Sequence, residues 1–425
     1  MSLFRTCILV ISILALSEAT FGQAARSPFS AIGLGEPYGN SLIHNQAMGG
    51  IGVSQPQIWF INNQNPALLV FNYFTVFQVG ALVESRTAKG DTTNVKNIDG
   101  KLNYLVIALP IKPGKWTSSV GLMPYINRNY KLEYFDVVQN TNSQDSIVVI
   151  EQGSGGLSQF YWSNGVRLHD NWAVGLKAAY LFGSVDSEYS NILTNVTQQV
   201  PYMVSINEQT YIKDFQFTGG LSFSQDSIGK KEAYQINAGL TYAFNTNLRT
   251  RKTTVFQRRQ LAGDPITSDT IYSELGNIKV PSVLTLGVSI SKPLKWSAGA
   301  EFSMQNWSNF ESFSETDISE LDQSWRIAAG GEFTPELLSD KLLKRITYRA
   351  GLSYEKPPFL INSNDVRDFG INFGISLPAG RSSLDLAFST GKRGDKSKNV
   401  LEETYFRVYF GVTFNDQWFI RRKFD

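Results

Sequence analysis

The stretch Tyr405–Phe414 limits what this chain can become more than any other. Phe406, Val408, Phe410, Val412 and Phe414 share one parity, and Tyr405, Arg407, Tyr409, Gly411 and Thr413 share the other. A β-strand sends alternate side chains to opposite faces, so this segment has one greasy face and one polar face. It is too long and too apolar on one side to lie open to water. It also sits close to the C-terminus, where a membrane barrel closes on its first strand.

The same alternation begins at Phe74 and recurs along the chain. Phe215, Phe217, Leu221 and Phe223 oppose Gln216, Thr218, Ser222 and Ser224. Ile236, Ala238, Leu240 and Tyr242 form another apolar row, and Phe369, Ile371, Phe373, Ile375 and Leu377 a further one. Such runs amount to about 14 strands, an even number as expected of a bacterial single-chain barrel. The fold class expected is therefore all-β, a transmembrane antiparallel barrel. A secreted sandwich would turn its apolar faces inward and its polar faces to water. Those polar faces should then carry Lys and Glu, whereas here they are rows of Gly, Ser, Thr, Asn and Gln, which suit a lumen. The apolar rows together exceed the few hundred Å² that soluble monomers expose. Lipid removes that cost, and ring closure leaves no unpaired edge in the hydrocarbon.

Composition agrees. Charged residues are 18% of the chain, below the roughly 25% usual in soluble domains. A net charge of +2 offers no field for nucleic acid. At the N-terminus Arg5, the apolar run Cys7–Leu16 and the small residues of Ala19–Ala25 read as a secretory signal peptide over residues 1–22. The run is too short to span a bilayer as a helix. Cys7 is the only cysteine, so the mature chain has no thiol for a disulfide or a metal.

Residues 23–73 hold Gly, Asn, Gln and Ser with recurrent apolar residues but no sustained period. They are expected to form a compact plug, a periplasmic element able to reach into the lumen. The barrel follows over 74–415 and a periplasmic tail over 416–425. Short connections at Lys112–Lys115, His169–Asn171, Asp226–Glu232, Ser291–Leu294, Thr334–Arg345 and Pro378–Ser382 alternate with long ones. The long ones are Ala88–Asn97, Arg128–Ser158, Ser187–Thr210, Thr246–Lys279, Trp307–Asp322, Lys356–Val366 and Lys392–Leu401. Short periplasmic turns and long outer loops are the pattern of outer-membrane barrels.

Nothing supports an enzyme or a cofactor. The two histidines, His44 and His169, are far apart in sequence, one in the plug and one in a short turn, where neither can serve a nucleophile on an outer loop. No clustered His or Cys offers a metal site. The Gly49–Gly52 run lacks the spacing of a dinucleotide loop and reads as tight turns. Arg167, Lys177, Glu301, Arg326, Glu332, Arg349, Glu355, Asp385 and Arg407 fall on the polar faces of strands. They form either a selectivity filter or paired charges that stiffen the wall and wedge the plug; most intramembrane charges are paired, which favours the second. Pro124, in the third strand Trp116–Ile126, lacks the N–H a ladder needs. Either the strand breaks there, with Gly121 easing the bend, or it ends near Met123.

At Asn65–Leu69 the chain resembles the FadL/TodX family of long-chain fatty-acid and hydrocarbon transporters. A signal peptide, a Gly-rich plug ending in Asn65-Pro66-Ala67-Leu68, and some fourteen strands share that family's layout. The tail Phe414–Lys423 resembles those of its Bacteroidetes branch. The resemblance implies passive passage of hydrophobic compounds through a lumen closed by an N-terminal hatch, then sideways beside a kinked third strand. Gly121, Met123 and Pro124 lie where that kink would fall. A ligand would meet lumen groups such as Tyr405, Tyr409 and Met123. The implied partners are a hydrophobic small molecule and outer-membrane lipid. A second expectation is a docking subunit for secreted proteins or an export machine, with Arg128–Ser158 and Thr246–Lys279 as its platform and Trp418-Phe419-Ile420 and the basic residues after them as a periplasmic contact.

Overall fold

The computed structural model describes residues 25–90, 94–137, 146–193, 202–229, 234–260, 265–311, 321–361, 363–399 and 401–418. The segment expected as a signal peptide, the tail beyond Trp418 and parts of several connections lie outside the described residues. In chain order the strands are β1 (Glu36–Pro37), β2 (Thr75–Lys89), β3 (Asn94–Lys112), β4 (Trp116–Asn127), β5 (Tyr130–Val137), β6 (Ser146–Arg167) and β7 (Trp172–Leu193). There follow β8 (Tyr202–Ile228), β9 (Tyr234–Ala243), β10 (Thr246–Gln260), β11 (Pro265–Val280), β12 (Val283–Lys292), β13 (Trp296–Gln305) and β14 (Ser324–Phe333). The last are β15 (Thr347–Lys356), β16 (Leu360–Ile361), β17 (Asn364–Asp365), β18 (Asp368–Ala379), β19 (Ser382–Gly394) and β20 (Glu402–Asp416). Short helical turns are α1 (Ile43–Gln46), α2 (Leu342–Arg345) and α3 (Lys396–Asn399), with 3-10 turns at Pro28–Ala31 and Pro66–Phe71.

Fourteen strands close an antiparallel barrel in the order β2-β3-β4-β6-β7-β8-β9-β12-β13-β14-β15-β18-β19-β20. The seam is β2 on β20, unbroken from Thr75↔Asp416 to Lys89↔Glu402. The alternation read in Tyr405–Phe414 sets the two surfaces. Phe406, Phe410 and Phe414 are about half exposed on the outside, while Tyr405, Tyr409 and Thr413 are buried inside. The outward apolar band is rimmed by aromatic residues: Trp116, Trp172, Phe333 and Tyr348 at the short-turn end, and Tyr211, Tyr354, Phe369 and Phe406 at the other. Such a band with interfacial aromatics is what a bilayer covers. No helix among the described residues is long and apolar enough to cross a membrane.

Several segments expected as outer loops are strands instead. Thr246–Lys279 is the β10–β11 hairpin, laid on the upper half of β8. Arg128–Ser158 contains β5 and the first half of β6, and Ser187–Thr210 carries the ends of β7 and β8. Ala88–Asn97 is the tip of the β2–β3 hairpin. Above the hydrocarbon a strand needs no apolar outer face, so Thr-, Arg- and Gln-rich stretches keep the ladder without the membrane signature.

The N-terminal segment lies in the bore. Near the outer end the Ser27 amide donates to the Asn129 carbonyl at 2.9 Å, and Phe29 stacks on Phe359 at 5.6 Å. At the other end Arg167 sits 4.9 Å over the Phe71 ring. Leu42, Ile43, Met48, Ile51, Leu68 and Leu69 are fully buried between these points. Wall glycines admit the segment's backbone. A Cβ on Gly239 would strike the Val53 carbonyl, and one on Gly351 would strike Met48.

Candidate functional site

The motif Asn65-Pro66-Ala67-Leu68 acts as a structural anchor. Asn65 caps the 3-10 turn by accepting from the Ala67 amide at 3.0 Å, a role Asn suits because its side chain mimics a backbone acceptor. Its Nδ2 donates to the Val53 carbonyl at 2.8 Å and to Leu221 of β8 at 3.1 Å, tying the segment to the wall. Pro66, Ala67 and Leu68 are buried. His44 is buried too, stacked on Phe60 at 4.7 Å. Burial, helped by Arg349, holds its pKa well below the usual value, so it packs as a neutral ring.

Wall charges grip the same segment. Glu301 of β13 accepts from the Gly52 amide at 2.5 Å and from Val53. Arg326 donates to the Gly49 carbonyl and lies 3.8 Å from Glu355. Lys177 reaches Asn40 at 3.0 Å and Asn63 at 3.3 Å, with its ammonium over Tyr161. Arg349 pairs with Glu332 at 3.0 Å, and Asp385 accepts from Thr413 at 2.7 Å and from Ser376. Thus Lys177, Arg326, Glu332, Arg349 and Asp385 face inward and are engaged. Tyr405 donates to Asp368 at 2.8 Å, and Tyr405, Tyr409 and Met123 are all under 7% exposed. These three are packing groups rather than an open aromatic lining.

Among the described residues, the ladder between β3 and β4 stops early. β3 and β4 pair from Lys112↔Trp116 only as far as Leu105↔Leu122. Beyond that point β3 continues to Asn94 on β2 alone, while β4 continues to Asn127 on β6. The register on β6 shifts between Pro124 and Ile126, so the strand bulges at the proline and does not end near Met123. Gly121 faces Val106 and Tyr161 too closely for any side chain. The vacated edge of β4 is taken by β1, with Glu36↔Asn127 and Pro37↔Ile126.

Sequence reading did not find what holds β1 there. The Glu36 carboxylate pairs with Arg86 at 2.7 Å, Arg393 at 2.8 Å and Arg407 at 3.6 Å. Those arginines keep further partners: Glu84 at 2.9 Å and Glu403 at 3.1 Å on Arg86, Asp368 at 2.8 Å on Arg393, and Glu84 at 2.5 Å on Arg407. Burial alone would raise the Glu36 pKa, but Arg393, Arg86 and Arg407 outweigh it and hold the carboxyl well below the usual carboxylate range. Glu84 and Arg86 share the inward parity of β2 and were open to the alternation argument. Glu36 sits in an aperiodic stretch and carried no signal.

Residues 3–425 match the model of the BamG family. The chain belongs to the BamG family. No curated relative matches it. Among solved structures, this BamG-family chain is similar to a Pseudomonas aeruginosa FadL homologue, with a TM-score of 0.57 at 11% identity over 89% of this chain and 99% of the other. It is also similar to the Ralstonia pickettii toluene transporter TbuX, with a TM-score of 0.54 at 14% identity over 89% and 98%. The Pseudomonas putida toluene transporter TodX gives 0.53 at 15% identity over 90% and 98%. At these identities the likeness is one of fold. The FadL/TodX layout read from the sequence therefore holds as architecture, and the family is BamG.

Proposed function

We propose that this chain is an outer-membrane channel for passive uptake of hydrophobic small molecules of the long-chain fatty acid or hydrocarbon class. Its signal peptide would be cleaved on export, and its C-terminal tail fits a Bacteroidetes-type member. In this reading residues 23–73 are the hatch, and ligand leaves sideways at the β3–β4 interruption beside Gly121, Met123 and Pro124. The observation that carries it is that β1 occupies the free edge of β4. A two-residue strand makes few hydrogen bonds and can leave, whereas the fourteen-strand ladder cannot.

The test is to join β1 to β4 with Pro37→Cys and Ile126→Cys, which are cross-strand partners. Uptake of a panel of fatty acids and aromatic hydrocarbons should fall when the pair is oxidised and recover on reduction. Equal uptake in both states, with the disulfide verified, would sink lateral passage. A second reading, a docking subunit for secreted proteins or an assembly machine, is favoured by one feature: β5–β8 with β10 and β11 continue the wall past the apolar band. Stoichiometric co-purification of a protein that is lost on trimming the β10–β11 hairpin, with uptake intact, would establish it.

A further inference from the structure

Outside the wall, at the outer end of the apolar band, β16, β17 and α3 overhang a cavity of about 740 Å³. Its floor is lipid-facing: Tyr354 of β15 and Phe369 of β18 are cross-strand partners, 41% and 46% exposed. Lys392 of β19 is the next residue in that row, opposite Phe369. Arg367 stands beside it with its guanidinium 5.4 Å over the Trp325 ring, and exposed Lys398 comes from α3. Asp365, Asn364 and Asp395 complete the polar side, with the Asp395 carboxylate taken up by the Ser397 amide and hydroxyl at 3.0 and 2.8 Å.

This combination is selective. A soluble anion has no use for an aromatic floor at the hydrocarbon boundary, and an acyl chain alone has no use for three cations and several hydrogen-bonding groups. A molecule with both parts fits: chains that lie along Tyr354 and Phe369, and a head bearing phosphate and hydroxyls. Guanidinium and ammonium groups bind phosphate through charge-assisted hydrogen bonds, and carboxylate and amide groups beside aromatic rings suit sugar hydroxyls. We propose that this cavity binds the phosphorylated saccharide headgroup of an outer-leaflet glycolipid. Arg367, Lys392 and Lys398 face the phosphate, and Asp365 and Asn364 accept from and donate to the sugar. Arg367 pairs with Asp365 at 2.8 Å and Lys392 with Glu402 at 2.8 Å, so the cations are held in place before the lipid arrives. The site requires the barrel to sit in a bilayer but not that it carries a ligand.

The test uses the full barrel in phosphatidylcholine nanodiscs titrated with a purified diphosphorylated glycolipid. Bound lipid is counted by native mass spectrometry. One glycolipid per barrel is expected, with binding weakened about tenfold or more in Lys392→Gln/Lys398→Glu, as charges at a membrane surface require. Arg251→Glu, on the outer face of β10 and away from the cavity, is the control and should bind normally. Lys398→Gln alone replaces the double variant if the latter does not insert, and should still weaken binding. Equal weakening by Arg251→Glu would mean a diffuse basic surface and would overturn the site. So would full competition by millimolar inorganic phosphate, which would make it a free-anion site, or wild-type affinity in the Lys392/Lys398 variants.

Discussion

Replacing Glu36 by Gln should free β1 from the edge of β4 while leaving the barrel standing. Glu36 is the group that three arginines share, at 2.7, 2.8 and 3.6 Å. Each arginine still has a carboxylate when Glu36 is neutral: Arg86 has Glu84 and Glu403, Arg393 has Asp368, and Arg407 has Glu84. Breaking one side of a buried ion pair costs about 3–5 kcal/mol. Glutamine keeps one acceptor oxygen, so the lower end applies, about 3 kcal/mol, or about a hundredfold in the docked-to-free ratio. The assay is the maleimide labelling rate of Tyr38→Cys, adjacent to β1, in a chain that carries Cys7→Ser and so has no other thiol. Labelling should accelerate about a hundredfold in Glu36→Gln, with the unfolding temperature nearly unchanged. Acid should act in the same direction. The Glu36 pKa is depressed, so its contribution is complete above the ordinary carboxylate value and fades only as pH falls through the lowered one. Divided at each pH by the rate of a free cysteine, since the thiolate is what reacts, labelling should therefore be level from about pH 8 to about pH 5. An unchanged rate in Glu36→Gln, or a rise beginning near neutral pH, would refute the latch.

Asn65→Ala removes a cap and two side-chain donations; it should cost about 2–3 kcal/mol, read as a lower urea midpoint for loss of plug protection from protease. Glu301→Ala leaves the Gly52 and Val53 amides without their acceptor and should lower barrel stability by about 3 kcal/mol, measured by gel heat-modifiability across a urea series. Gly351→Val drives a side chain into Met48 and should block compact folding, whereas Gly380→Ala, with open space around it but a φ of +68°, should cost only the left-handed backbone strain of about 1–2 kcal/mol. Phe410→Lys, on the outer face, should destabilise insertion by about 2–4 kcal/mol in lipid vesicles; no loss would mean that this face does not meet hydrocarbon.

The outer surface was legible because lipid imposes one rule on it. Phe406, Phe410 and Phe414 point outward wherever the strand sits, so period and parity sufficed to place them. Pro124 announced a discontinuity, since a missing N–H is a local fact. Its consequence, the loss of pairing between β3 and β4 beyond Leu105, depends on a neighbour and was not local. The inner glycines read as polar lumen lining, and nothing in their spacing showed that Gly239 and Gly351 receive the backbone at Val53 and Met48. Glu36 was silent for a related reason: its partners come from β2, β19 and β20, brought together only by closure of the ring. The outer hairpin β10–β11 was missed because a strand free of lipid sheds the apolar face by which strands were recognised.

The route of the N-terminal segment bears on how such a molecule can be made. The chain passes down the whole bore, from Ser27 near Asn129 to Phe71 under Arg167, and then turns outward to become β2, the strand that meets β20 at the seam. It is a cord drawn through a ring of which it is also the first stave. Gly239 and Gly351 touch its backbone, and Asn65 is fastened to β8, so cord and ring fit each other contact by contact. A wall that wraps around the cord as it closes needs no threading step, and the β2–β20 seam is then the joint that completes it.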